Sequence, residues 1–256
     1  MPARARLRSG TVGLEDRDAL RVLQTAIDPQ APSDDLIRSI YAHWFAIDTT
    51  ARDLFPPDLA HQRAAFGEAM HWVLGELVAQ RSQEPVAFLA QLGRDHRKYG
   101  VTEAHYETMR RAWYAAMRSG LADHWTAAVD EAAVAAINLI TGIMSGAADA
   151  EAGPAWWDGT VLEHHRVSRD IAVVRLRLDR PMPYHPGQYV NVEIPQWPRQ
   201  WRYLSPAMPS DPDGFIESPI RPATRLPTNP ETAKTSRNTG TADAGSPVTS
   251  VTVGAM

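Results

Sequence analysis

The chain has 256 residues and a net charge of −4, with 44% hydrophobic and 22% charged residues, the profile of an ordinary soluble globular protein. It contains no cysteine, which excludes disulfides, cysteine-held clusters and a thiol nucleophile and leaves any metal chemistry to the nine histidines, carboxylates, tyrosines and methionines. The negative balance argues against a nucleic-acid partner, and Arg4, Arg6 and Arg8 read as a solvated tail. No stretch approaches the roughly 20 apolar residues of a membrane span, and the N-terminus lacks the apolar core of a secretion signal, so a cytoplasmic protein without a membrane partner is expected.

From Leu14 to about Met144 the periodicity is helical. Ser33 is a candidate N-cap for a helix with Ile37, Ile40, Tyr41, Trp44 and Phe45 at three- and four-residue spacing. Pro56 and Pro57 interrupt the next turn, and Asp58 opens a long helix with Phe66, Met70, Val73 and Leu77 on one stripe. A further helix leads through Gly93 to an end near Gly100. Thr102 caps the next through Met117, with Ser119 and Gly120 closing it, and an alanine-rich helix carries Val129, Ala133, Ala136, Ile137, Ile140 and Met144. About 150 helical residues suffice for a core with an internal pocket.

Asp149 to Ala155 reads as a linker. Beyond it the period changes to two. Val174, Leu176 and Leu178 alternate with Arg175, Arg177 and Asp179, and Val190, Val192 and Ile194 alternate with Tyr189, Asn191 and Glu193, the pattern of a small antiparallel barrel or sandwich. Residues 218–256 lack Phe, Tyr and Trp and are rich in Thr, Ser, Pro, Ala and Gly, which predicts a disordered tail. The domain boundaries expected are therefore 1–150, 151–217 and 218–256.

The run GRDHRKYGVTEAHY resembles the bacterial haemoglobin and flavohaemoglobin family, with His96 at the proximal iron ligand and Tyr106 at a tyrosine of the proximal hydrogen-bond network. On the other side, Tyr41 precedes Phe55 by the family's fourteen-residue interval, and HQRAAFGEAM resembles its distal helix, with Gln62 and the haem contact Phe66. Dioxygen in such a pocket takes on partial negative charge, which a Tyr41 O–H and a Gln62 N–H would stabilise. His61 is the competing distal residue; one step on a helix turns a side chain by about 100°, so His61 and Gln62 cannot both face the iron. Two departures mark an atypical subgroup. No glutamate stands near Ile140, where the resemblance places the partner of the proximal histidine, and Asp95 replaces a common lysine. Both weaken the electron push from His96.

After the linker, WWDGTVLEHHRVSRDIAVVRLRL and HPGQYVNVEIP resemble the start of the FAD domain of the ferredoxin–NADP reductase superfamily, and WRYLSPA its flavin-binding strand. The resemblance implies that Arg202 pairs with the FAD pyrophosphate, Ser205 bonds the flavin edge and Tyr189 packs near the cofactor. Leu204 stands at the family's tyrosine position, with Tyr203 one place earlier and so on the opposite face. The family match ends at DPDGFIE without a Gly-x-Gly phosphate loop, which points to a truncated or frame-shifted chain, an absent NAD(P)H site and barrel strands with unpaired edges.

The resemblance thus implies an all-α globin domain, a partial all-β FAD-binding barrel and a disordered tail. Haem b and FAD are the implied cofactors, although a barrel limited to its first strands argues against firm FAD retention. The implied activity is an oxidoreductase one, nitric oxide detoxification: dioxygen oxidises nitric oxide to nitrate with electrons from NAD(P)H through FAD, a separate reductase replacing the missing site. The alternatives are a non-enzymatic oxygen carrier or gas-sensing globin and, third, a flavin electron-transfer protein.

Overall fold

The computed structural model describes residues 14–30, 34–81, 83–221 and 250–254 and divides into two compact units, Met1–Gly153 and Pro154–Met256. The first is helical: α1 (Arg17–Ala26), α2 (Asp35–Ile47), α3 (Ala60–Val78), α4 (Gln83–His96), α5 (Glu103–Leu121) and α6 (Ala127–Ala150). Short polar side chains start several of these helices by accepting free backbone N–H groups. Asp16 accepts from Asp18 N and Ala19 N, Asp58 from Ala60 N, and Thr126 from Val129 N. At α5 the exchange runs the other way as well, Thr102 N donating to His105 Nδ1 at 3.0 Å. Ser33 lies outside the described residues.

Two boundaries differ from expectation. Ser119 and Gly120 lie inside α5, which reverses instead at Ala122 with φ +31°. Asp149 and Ala150 belong to α6, so the linker begins at Glu151. The expectation that no segment is long and apolar enough to span a bilayer is also corrected, because α6 is. Alanine, valine, isoleucine, leucine and methionine raise its hydropathy while Asn138, Thr141, Gly142 and Ser145 interrupt any continuous apolar run, and Val129, Ala133, Ala136, Ile137, Ile140 and Met144 bury one face of it in the helical core. That core joins Leu20, Leu23, Ile40, Leu74, Leu89, Trp113 and Met117.

Close helix approach sets the geometry of the site. A Cβ on Gly93 would stand 2.1 Å from the backbone oxygen of Met144, so only glycine lets α4 cross α6 this tightly one turn before His96. Between α2 and α3, Arg63 Nε donates to Asp34 Oδ2 at 2.6 Å while Arg38 Nη2 donates to Asp34 Oδ1 at 2.5 Å. Both guanidinium groups hold the Asp34 carboxyl below its usual range, the Arg63 bond most strongly.

The second unit is an antiparallel six-stranded sheet in the order β4–β3–β6–β1–β2–β5. Its strands are β1 (Trp157–Arg166), β2 (Ala172–Leu178), β3 (Val190–Glu193), β4 (Arg202–Leu204), β5 (Phe215–Ile220) and β6 (Ser250–Gly254). Trp157, Leu176, Leu178, Met182, Val190, Val192, Ile216, Val251 and Val253 form its core. The end strands approach one another: Ala207 N donates to Glu217 O at 2.7 Å, and Ser218 Oγ to Ser205 O at 2.9 Å, so the sheet curls into a nearly closed barrel.

Two expectations are overturned here. Ser218–Ile220 continue β5, and β6 lies in the stretch read as a disordered tail; residues 222–249 of that stretch lie outside the described residues. The segment lacks aromatic residues, but β6 needs no core of its own. Its alternating Val251 and Val253 drop into one that already exists while its backbone bonds β1 on one side and β3 on the other. The same strand pairs the edges of β1 and β3 that would otherwise stand open, and β4 and β5 end the sheet.

Candidate functional site

Tyr41 is the centre of the helical site. It is 3% exposed, on the buried stripe of α2 with Ile37, Ile40 and Trp44. Its ring meets Phe55 edge-on at 5.6 Å between centroids, Phe66 edge-on at 5.9 Å and Phe45 at 5.9 Å. Phe55 is delivered by a short 3₁₀ turn, Thr49–Leu54, that Asp48 caps by accepting from Thr50 N. Arg52 then clamps the exit by donating to the carbonyls of Phe55, Pro56 and Pro57. Two prolines stop any helix there, and the guanidinium satisfies the carbonyls they strand.

Gln62 hydrogen-bonds the Tyr41 hydroxyl. That contact favours the ionised phenol. Burial dominates all the same and pushes the Tyr41 phenol up to about 12, which keeps it a proton carrier. His61, the competing distal residue, is exposed, whereas Gln62 and Phe66 are half-buried. Tyr41, Phe55, Gln62 and Phe66 therefore form one cluster, and Trp113 of α5 extends it with its ring 5.3 Å from that of Phe66.

His96 ends α4. Its Nδ1 donates to Leu92 O at 2.6 Å, which fixes the tautomer and leaves the Nε2 lone pair for a metal. Burial lowers its pKa, holding the ring neutral. Its ring lies edge-on to Tyr99 at 5.9 Å, and the chain leaves the turn through Gly100 at φ +76°, a left-handed conformation suited to glycine.

Tyr106 is buried on α5, but its hydroxyl has no hydrogen-bond partner among the described residues, so it makes no bond to His96. Burial first and then the charges of Asp149 and Glu103 push it up to about 12. Asp149 is the carboxylate that sequence reasoning missed; it lies nine residues beyond Ile140, in a stretch read as linker. Trp113 was missed too. It is 2% exposed with an unpartnered Nε1, and it shares a face of α5 with Tyr106, seven residues earlier. Buried polar groups are normally paired. Two unpaired ones on a single stripe fit a prosthetic group lodged against α5, and a neutral imidazole with a directed lone pair fits its iron.

In the β unit, Arg202, Ser205 and Tyr189 are all exposed. Among the described residues the Arg202 guanidinium makes only local bonds, to Trp201 O at 3.2 Å and Gln200 Oε1 at 3.3 Å. Arg202 pairs with Val192 and Leu204 with Val190, and Val190 and Val192 face the core. Cross-strand partners share a face, so Arg202 and Leu204 lie on that side of the sheet and Tyr189 on the other. The structure does not bring Tyr189 and Arg202 together. Tyr189 instead meets Tyr203, edge-on at 5.0 Å. Arg202 and Ser205 are each exposed and by their chemistry suit the phosphate and ring edge of a nucleotide cofactor, while Tyr189 lies on the other face.

Comparison with known proteins agrees with both halves. Residues 38–144 match the globin family, and residues 158–240 match the oxidoreductase FAD-binding domain family. No curated protein matches. Among solved structures, the chain resembles a flavohemoglobin from Malassezia yamatoensis with bound FAD and heme: 13% identity, a TM-score of 0.68, and coverage of 97% of this chain. The chain spans 64% of the length of that flavohemoglobin. A ferredoxin reductase in carbazole 1,9a-dioxygenase matches 41% of this chain and 29% of its own, at 28% identity and a TM-score of 0.29.

Proposed function

We propose that this flavohaemoglobin-like chain, a globin domain followed by an oxidoreductase FAD-binding domain, oxidises nitric oxide to nitrate with dioxygen at a haem b held by His96. Haem b supplies an iron that binds dioxygen reversibly and exchanges single electrons, and FAD splits the electron pair of a reduced nicotinamide into single electrons. Overall, nitric oxide, dioxygen and one electron give nitrate, so the electron supply sets steady turnover.

The chain's own residues would work as follows. His96 offers Nε2 while Leu92 O holds Nδ1–H, which prevents ring rotation and keeps the lone pair aimed. Gln62 orients the Tyr41 phenol by donating to its oxygen, and the phenol O–H donates to the negative charge that develops as dioxygen reacts. Phe55, Phe66 and Phe45 exclude water around that donor, which strengthens it. In the second domain, Arg202 and Ser205 offer donors to a pyrophosphate and a ring edge.

The observation that carries this reading is the buried Tyr41–Gln62 pair. A tyrosine only 3% exposed, with an amide beside its hydroxyl, suits a donor site, where a merely structural tyrosine would direct its hydroxyl to water. One feature favours the carrier or sensor reading. The His96 Nδ1 bonds a neutral carbonyl, a weaker electron push than a carboxylate gives. Nitric oxide consumption separates the two, measured with dioxygen, NADH and an added flavin reductase as electron source. Many nitric oxide molecules consumed per haem support the dioxygenase; consumption stoichiometric with haem rules it out and leaves the carrier.

A further inference from the structure

Phe66 stands between two other rings. It meets Tyr41 of α2 edge-on at 5.9 Å and Trp113 of α5 edge-on at 5.3 Å, so its ring is limited from both sides. The backbone beneath it is fixed as well. At the next residue α3 passes so close to α2 that a Cβ on Gly67 would stand 2.6 Å from Ile37 Cδ1. Movement of the Phe66 ring therefore means a change of side-chain torsion, not a shift of the helix.

Trp113 has no polar anchor. It is buried and its Nε1 has no hydrogen-bond partner among the described residues, so packing alone sets its place. The helix that carries it is held firmly. Trp44 Nε1 donates to Thr108 Oγ1 at 2.9 Å, tying α5 to α2 just before Trp113, and the neighbouring Ala112 and Ala116 are fully buried. Small residues packed so closely leave α5 little room to follow if the indole were cut back. The space would pass instead to Phe66, whose ring already touches it.

We propose that Trp113 is a positioning residue that holds Phe66 against Tyr41, and that Phe66 held there admits diatomic ligands to the haem pocket and shuts out wider ones such as nitrogen heterocycles. This rests on reading the helical unit as a haem globin. Dioxygen and nitric oxide pass by size, whereas an imidazole ring needs the volume that Phe66 could vacate only if Trp113 were smaller. Selectivity of this kind comes from a clash built against the wrong ligand, without any added attraction for the right one.

The test uses the full chain in its ferric haem form, titrated with cyanide and with imidazole and followed by the shift of the main haem absorbance band. Both probes bind the same iron and differ in width. Trp113→Leu should tighten imidazole about tenfold or more and leave cyanide within about threefold. Trp113→Phe keeps a ring behind Phe66 and should hold imidazole within about threefold of wild type. Phe66→Ala should tighten imidazole at least as much as Trp113→Leu, and adding Trp113→Leu to it should gain less than about twofold more, because Trp113 acts through Phe66. Unchanged imidazole affinity in Trp113→Leu at wild-type haem content overturns the proposal. Cyanide that shifts as much as imidazole, or a double variant in which the two gains multiply, overturns it as well. Should Trp113→Leu not fold, Phe66→Ala decides: a gain for imidazole supports the proposal and no gain overturns it. A wild-type chain that takes up no haem removes the globin reading itself.

Discussion

Replacing Tyr41 by phenylalanine removes a single oxygen atom from the centre of the helical site. The ring keeps its packing against Phe55, Phe66, Phe45 and Trp44, so the fold loses only the bond with Gln62, a change of about 1 kcal/mol. The effect on ligand should be larger. A hydrogen bond to a charged acceptor contributes about 1.5–3 kcal/mol, and the site is dry, so dioxygen should leave the ferrous protein about 30-fold faster, equivalent to about 2 kcal/mol. Stopped-flow displacement of dioxygen by carbon monoxide measures that rate. Carbon monoxide, which takes on little charge, serves as the control and should dissociate at nearly the wild-type rate. Dioxygen dissociation within threefold of wild type, in a variant with wild-type haem content, would refute the assignment of the Tyr41 hydroxyl as the donor.

Three further outcomes follow from the same structure. Gly93→Ala drives a Cβ into the Met144 carbonyl, so α4 must shift; thermal unfolding of the helical unit should show a loss of about 1–3 kcal/mol, and the haem spectrum should change with it. Val253→Asp puts an unpaired charge into the barrel core and should abolish flavin uptake while haem stoichiometry stays at one, read by the two absorbance bands. The Tyr41 phenol titrates near 12 in the native state against 10 when unfolded, so its contribution is complete below pH 10 and is lost as pH climbs toward 12. Equilibrium unfolding across that window should show about 2–3 kcal/mol less stability at the upper end, and Tyr41→Phe should abolish that part of the slope.

Much of the helical site was legible because its information is local. Tyr41 and Phe55 are fourteen residues apart on consecutive elements, and Gln62 and Phe66 are one turn apart on a single helix, so spacing alone brings them to a common pocket. Trp113 and Asp149 were not legible. Trp113 reads as core at helical spacing, and only its unpartnered Nε1 in the folded chain marks it. Asp149 was hidden by a boundary error, since AADAEAG carries as many linker signals as helix signals and α6 overrides them by packing. In the β unit the error was one of reference. Residues 218–256 were judged on whether they could fold alone, but Val251, Thr252 and Val253 alternate and had only to complete a sheet that β1 and β3 supply. The face of Tyr203 likewise depended on the register of β4 against β3, which no local pattern specifies when the strand is three residues long.

The central claim is that His96 Nε2 holds the haem iron. The direct measurement is resonance Raman spectroscopy of the ferrous protein in the iron–histidine stretching region, on wild type and on His96→Ala with and without added imidazole. The account predicts that the band is present in wild type, disappears in the variant together with tight haem retention, and returns when imidazole is added. An unchanged band and one haem per chain in His96→Ala would contradict it.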